Sequence, residues 1–595
     1  MTSQNLPLDG QFWAPEFTYD TLEDGTVYMR QVEDLPDHLP VLADYLDKWA
    51  DTTPDRAWIA RRAKDGSWTR ISYAQGRDQA RAAGAALLGM GLGPDRPLLI
   101  LSENSLEHAV LGIACAYVGI PYSPISPAYS LVSKGAEKAK GIVDTLNPGA
   151  IFADDGAMFA EPLGVLASGD CQVITARNHI AGAHAFDDLI QCAPDAAVAA
   201  RSALTPDTVV KYLFTSGSTG SPKAVINTNK MICAMQAMVR DSYRFLETEP
   251  PVVLNWAPWN HTAAGNKISY LVLTNGGTYY IDDGRPVPGE FDETLRNLRE
   301  IACTWYFNVP IGYDKLVKEL ETDQELARVF YSKLRMLFYA GAGMAQHTWD
   351  QLMAIGKDVT GRDVLLATGL GSTETAPFAL AWTEPEKTAG NLGVPARGLV
   401  MKLVPSDGKL ELRLKGPSIT PGYLGSPEKT AEVFDEEGFY CMGDALRPVD
   451  PDDYSRGFFF DGRVAENFKL STGTWVSVGA VRSKLVDAMG GLARDAVIVG
   501  ENQAQLGALL WLSPLAHQMA PDELNQALAE RISAAAKTAT GSASRVRRVL
   551  LLAHEPSLDR GEITEKGSLN QRALRTHNAE AIDEMYRSDE GVFIA

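Results

Sequence analysis

Residues 213–226 read Leu-Phe-Thr-Ser-Gly-Ser-Thr-Gly-Ser-Pro-Lys-Ala-Val-Ile, and the residues flanking the glycines constrain the fold more than any other stretch. Gly217 and Gly220 let backbone N–H groups approach an anion closely. Thr215, Ser216, Ser218 and Thr219 add hydroxyl donors, and Lys223 adds a point charge. A nucleotide-binding P-loop passes Gly-Lys-Ser/Thr straight into a helix. Here Pro222 precedes the lysine and Ala224-Val225-Ile226-Asn227 follows as a β-branched run, so the loop joins two strands. Alone, such a stretch is as often a flexible turn as an anion cradle; its context decides.

That context is an alternation of strands and helices. Pro97–Ser102, Ala150–Phe152 and Cys171–Ile174 predict short buried strands, while Leu42–Ala50 and His108–Tyr117 predict helices, the second ending near Gly119. After the glycine loop a second series follows at Val252–Trp256, Thr278–Ile281, Thr304–Val309, Met336–Ala340 and Val364–Ala367, with a helix over Phe291–Ile301. Such alternation implies parallel sheets covered on both faces. From Gly393 to Val449 the pattern becomes strand-turn-strand (Leu399–Val404, Lys409–Leu414, Gly438–Cys441), as in a small antiparallel unit. A boundary falls near Asp461-Gly462-Arg463. Beyond it Val497–Val499, Gly507–Leu512, Val549–Leu552 and the helix Pro521–Lys537 form a compact α+β segment. The expected fold is therefore α/β. Residues 1–462 form a large domain of two βα-layered sheet subdomains plus the antiparallel unit, and residues 463–595 a small α+β domain.

The net charge of −20 is spread along the chain, which argues against nucleic-acid or anionic-membrane partners, since both need a basic footprint. The six cysteines are scattered without a C-x-x-C pair, against a disulfide framework or zinc site. The polar N-terminus and the lack of a long apolar run make the cytoplasm the expected location.

Two further segments sit where open α/β sheets bind ligands, at strand-to-loop junctions. Thr368–Pro377 places two glycines and the carboxylate of Glu374 after a strand, which suits a nucleotide with Mg²⁺, or else a surface turn with a solvated Glu. Tyr440–Asp444 ends a strand in Gly-Asp; an ionised Asp accepts two ribose hydroxyls, though Gly-Asp is commonly just a turn.

Six motifs in this order, "YLFTSGSTGSPKAV", "GLGSTETAP", "GPSITPGYL", "FYCMGDAL", "FDGRVAENFKLSTGTWVSVG" and "DRGEITEKG", resemble the ATP-dependent acyl-adenylate-forming ligases. That family includes acyl-CoA synthetases, luciferases and peptide-synthetase adenylation domains. The match runs from about Leu39 to Asn578. "WNHT", "GGTYYIDDGRP" and "SPAYSLVS", with "FKLSTGTWVSVG", further look like the feruloyl-CoA synthetase group, which activates hydroxycinnamic acids.

The resemblance implies a reaction in which a small-molecule carboxylic acid attacks the α-phosphate of ATP, after which coenzyme A attacks the acyl-AMP. It gives the glycine loop (Thr215 to Gly220) and Lys223 to the β- and γ-phosphates, and Thr373 to the α-phosphate. Glu374 would hold Mg²⁺, Asp444 the ribose with Arg463 assisting, and Gly341-Ala342-Gly343 part of the adenine wall. Leu370 stands where many relatives stack a tyrosine on adenine. Lys566, the only lysine after Lys537, would bridge the carboxylate and the α-phosphate, although it precedes Gly567 rather than following a glycine. His261 would gate the carboxylate, and Thr262, Ala263, Phe307, Gly341, Pro377 and Phe378 would lie near the acyl chain. The family rotates its small domain between the two steps, about a hinge that falls here at Ala465. Other acids (benzoate, a larger aromatic or a fatty acid) or a non-catalytic binding protein of the same fold are the alternatives. A kinase or hydrolase releasing ADP is disfavoured by the strand after Lys223.

Overall fold

The computed structural model describes residues 15–595 except 132–135, 216–221, 385, 387, 407, 514, 540, 558–559 and 564–568. The expected hairpin at the glycine loop is present. Val209–Thr215 and Lys223–Thr228 are antiparallel strands in which Thr215 lies opposite Lys223. They form one edge of a seven-stranded sheet that continues through Tyr122–Pro124, Leu98–Leu101, Ala150–Asp155, Gln172–Arg177 and His184–Ala185. All four residues of Leu98–Leu101 are 0% exposed, as both faces of the central strand are covered. The helix Leu106–Val118 starts where Ser105 Oγ accepts the His108 N–H at 3.0 Å, and stops at Gly119, whose φ is 75°.

The second series divides into two sheets rather than one. Val252–Asn255 and Thr278–Ile281 run parallel and are extended by Ala57–Arg62 and Trp68–Ser72 from the start of the chain. Trp305–Asn308, Met336–Tyr339 and Leu365–Ala367 make a separate parallel trio. The two abut through Thr304 N–H to Val252 O at 3.0 Å and Asn255 Nδ2 to Phe307 O at 3.0 Å.

The antiparallel unit is larger than its sequence suggests. Its six strands are Phe17–Thr21, Val27–Gln31, Val400–Ser406, Lys409–Lys415, Tyr440–Asp450 and Asp453–Arg463. The strand expected to stop at Gly443-Asp444 instead runs on to Asp450. A register shift between Asp444 and Leu446 absorbs the Gly-Asp pair as a bulge. Asp461-Gly462-Arg463 is likewise strand, followed by a single turn of 3₁₀ helix over Val464–Glu466.

From Phe468 onward the chain builds its own core, with Val481, Leu485, Leu510, Leu528 and Ile532 buried between the helices Val478–Ala488 and Pro521–Thr538 and a sheet. That sheet runs Ala493–Val499, Leu506–Leu512, Val546–Leu551 and Val592–Ile594. Lys409 Nζ bonds the Asp461 carbonyl within the antiparallel unit and Ser477 Oγ beyond it, the latter at 2.9 Å. Among the described residues no helix is long and apolar enough to cross a membrane. All six cysteines are free.

Candidate active site

The hairpin, the 369–377 turn and the segment after Gly416 come together through backbone pairing. Ile226 N–H donates to Gly422 O at 3.1 Å, Leu424 N–H to Ala224 O at 2.9 Å, and Thr420 Oγ1 to Ile226 O at 2.8 Å. The same segment reaches the turn, with Thr420 N–H bonded to Glu374 O at 2.8 Å. Tyr423 therefore stands between two expected phosphate-site residues. Its hydroxyl donates to Glu374 Oε1 at 3.0 Å, and Lys223 Nζ lies 4.9 Å from its ring centroid. Burial and the Glu374 charge push the Tyr423 phenol well above its usual range, so it stays a donor at neutral pH. Sequence reasoning did not single out Tyr423, although it lies within "GPSITPGYL".

The 369–377 turn is fixed by close packing of backbone. A Cβ on Gly371 would fall 2.0 Å from Pro377 O, so only glycine fits. Ser372 N–H donates to Thr375 Oγ1 at 2.9 Å, and Ala379 N–H to Leu370 O at 2.9 Å. These bonds place Thr373 and the buried Glu374 on one short 3₁₀ turn. Among the described residues no three His, Cys, Asp or Glu side chains converge as a metal cage. Glu374 would offer Mg²⁺ carboxylate oxygen, a donor type that suits this ion.

Asp444 is 3% exposed and sits opposite Arg463 across the last hairpin. Arg463 Nε is 3.1 Å from Asp444 Oδ1, yet the geometry gives that buried oxygen no hydrogen bond. Burial raises the Asp444 carboxyl to about 6, with Arg463 opposing and Glu466 and Glu374 adding to the rise. Gly341, Ala342 and Gly343 follow the strand Met336–Tyr339 and are exposed, while Leu370 is half-buried.

His261 is half-buried at the mouth of a π-helical turn, Ala263–Ile268. Such turns are frequent at functional sites because they widen a helix locally. Gly265 makes this one possible, since a Cβ there would lie 2.1 Å from Trp259 O. Thr262 Oγ1 accepts from Asn266 Nδ2 at 3.3 Å, and that amide also bonds Asn227 Oδ1 at 2.8 Å. Phe307 and Phe378 are buried, the former stacked on Phe338 with centroids 6.2 Å apart. Lys267, not anticipated from sequence, projects among these rings. Its signal was available: no other Asp, Glu, Lys or Arg lies between Glu249 and Asp282.

Several expected residues are not placed. Ser216, Gly217, Ser218, Thr219, Gly220 and Lys566 lie outside the described residues. Ala465 is in the 3₁₀ turn after Arg463.

Comparison with known proteins places this fold in a family. The AMP-binding enzyme family model matches residues 46–424, and the AMP-binding enzyme C-terminal domain matches 470–590; the chain belongs to this family. It is 24% identical over 544 residues to a carboxylic acid reductase of Mycobacterium marinum, covering 83% of this chain but only 44% of the reductase. It is 26% identical over 466 residues to 4-coumarate–CoA ligase 2 of Oryza sativa subsp. japonica, covering 73% of this chain and 77% of the ligase. The structure of the anthranilate CoA ligase AuaEII with anthranoyl-AMP shares the fold, with a TM-score of 0.70 at 18% identity over 92% of this chain and 99% of that one.

Proposed function

We propose that the protein is an AMP-forming acid–CoA ligase, like feruloyl-CoA synthetase, acting on a hydroxycinnamic-type acid such as ferulic acid. The acid's carboxylate displaces pyrophosphate from ATP to give acyl-AMP, and the CoA thiol then displaces AMP. Catalysis rests on positioning and charge neutralisation, so no protein nucleophile is needed. The glycine loop and Lys223 hold the β- and γ-phosphates, and Thr373 touches the α-phosphate. Glu374 holds Mg²⁺, which neutralises phosphate charge when bound. Asp444 takes the ribose hydroxyls with Arg463 beside it. The adenine lies along Gly341-Ala342-Gly343 and Leu370. His261 gates the carboxylate, and Thr262, Ala263, Phe307, Pro377 and Phe378 wall the acyl group. Lys566 arrives from the small domain for adenylation, and Ala465 is the hinge. Free cysteines suit a reducing cytoplasm.

The observation that carries this reading is the line Lys223–Tyr423–Glu374, beside an Asp444 oxygen that has no hydrogen bond. A pyrophosphate-release screen over aromatic and aliphatic acids, with and without CoA, tests it. Hydroxycinnamic acids should give AMP, pyrophosphate and, with CoA, thioester. Isotope from the carboxyl oxygen should appear in AMP. ADP as product, or release by aliphatic acids alone, refutes it. The reductase relative favours one variant reading, in which adenylation feeds an acceptor other than CoA. Acyl-AMP formed with no thioester when CoA is present would support that variant.

A further inference from the structure

Lys267 is 3% exposed and its Nζ has no hydrogen-bond partner. It stands 3.4 Å from the Phe338 ring centroid, 4.6 Å from that of Phe378, 5.7 Å from Tyr243 and 6.0 Å from Trp305. The box has two more orphans: the Tyr243 hydroxyl and the Trp305 indole N–H are also buried without partners. Buried polar groups are ordinarily paired, and three unpaired ones around a single set of rings are a cost the fold does not recover internally. Phe378 belongs to the proposed acyl wall, and Phe338 stacks on Phe307, which does too. Ala263, also of that wall, opens the turn that carries Lys267.

We propose that Lys267 is a specificity-determining residue that receives a phenolic hydroxyl on the far end of the acid's aromatic ring. The inference rests on the function proposed above. Burial alone drives this ammonium well below its usual range, toward the uncharged amine. An uncharged amine has one lone pair to accept and N–H groups to give. A phenol offers the matching O–H and oxygen lone pairs, so amine and phenol pair without burying net charge. A second carboxylate at that end would force an ammonium and a desolvated ion pair. An unsubstituted ring would leave the amine orphaned. Sites built to bond a substrate hydroxyl reject the analogue lacking it far more strongly than apolar pockets do.

The test compares kcat/KM for 4-hydroxycinnamate, 4-methoxycinnamate, 4-carboxycinnamate and cinnamate, read as pyrophosphate release by the full chain and by Lys267→Met. Wild type should prefer the 4-hydroxy acid over cinnamate by at least about tenfold, with the methoxy and carboxy acids poorer than the hydroxy acid. Lys267→Met, of similar length and apolar, should bring the hydroxy-to-cinnamate ratio to within about twofold of one. A wild-type ratio near one overturns the inference and needs no variant, and so does a Lys267→Met enzyme that keeps the wild-type ratio. Equal use of hydroxycinnamate and cinnamate overturns this inference alone, whereas pyrophosphate release with no aromatic acid overturns the proposed function and this inference with it.

Discussion

Asp444 and Arg463 face each other across two antiparallel strands with 3.1 Å between Oδ1 and Nε, but the arginine side chain is 58% exposed while the aspartate is buried. The pair is thus lopsided. The aspartate bears the desolvation and the arginine, facing water, compensates only part of it.

The first prediction is a pH dependence. The native carboxyl titrates at about 6, against an ordinary value of 3.8. Between those values the native state holds a proton that the unfolded state has released, so stability falls as pH rises from about 4 to about 6 and is flat beyond. Asp444→Asn should therefore melt about 1–2 °C higher than wild type at pH 8 and at the same temperature below pH 4, by scanning calorimetry. Nucleotide binding should run the other way. The ionised carboxylate is the better acceptor, so wild-type affinity for AMP should improve as pH rises through about 6, and Asp444→Asn should bind roughly tenfold more weakly without that dependence.

Tyr423→Phe removes the donor to Glu374 and keeps the ring under Lys223. The expected result is a loss of about tenfold in ATP–pyrophosphate exchange, partly recovered at high Mg²⁺, with little change in melting temperature. Unchanged exchange would show that Glu374 needs no help in holding its position.

Gly265→Ala puts a methyl group 2.1 Å from the Trp259 carbonyl oxygen. Backbone has to move, so soluble yield should collapse or stability drop by about 3 kcal/mol or more, whereas Ala263→Gly in the same turn should fold normally. Expression and thermal melts of the two variants decide this.

Lys566→Ala should abolish acyl-AMP formation and leave thioester formation from added acyl-AMP largely intact. Wild-type adenylation by this variant would remove Lys566 from the site.

Local signals in the sequence located most of the elements. Thr278–Ile281 was delimited by its β-branched and aromatic run, and the strand after Lys223 by Ala-Val-Ile. Gly119 marked a helix end because its left-handed backbone favours glycine. The misses have a common cause. The extension of Tyr440–Asp450 beyond Gly443 depends on pairing with Asp453–Arg463, and sequence shows a Gly-Asp pair only as a turn former. The π-helical turn depends on a carbonyl from Trp259 that no pattern displays. Lys267 shows in sequence only as an isolated charge in a long uncharged stretch, and its enclosure needs four rings from distant parts of the chain. Tyr423 was inside a quoted motif, but its bond to Glu374 spans 49 residues.

The edge hairpin Phe17–Thr21 with Val27–Gln31 has a temporal consequence. Met29 pairs with Met401, so on the ribosome it waits for its neighbour while the intervening chain is made, roughly 20–75 s at usual elongation rates. Until then an unpaired strand edge is open to other nascent chains. Sheet closure at this flank belongs to the late stages of assembly, and slowed translation between these positions should show first as aggregation of the newborn protein.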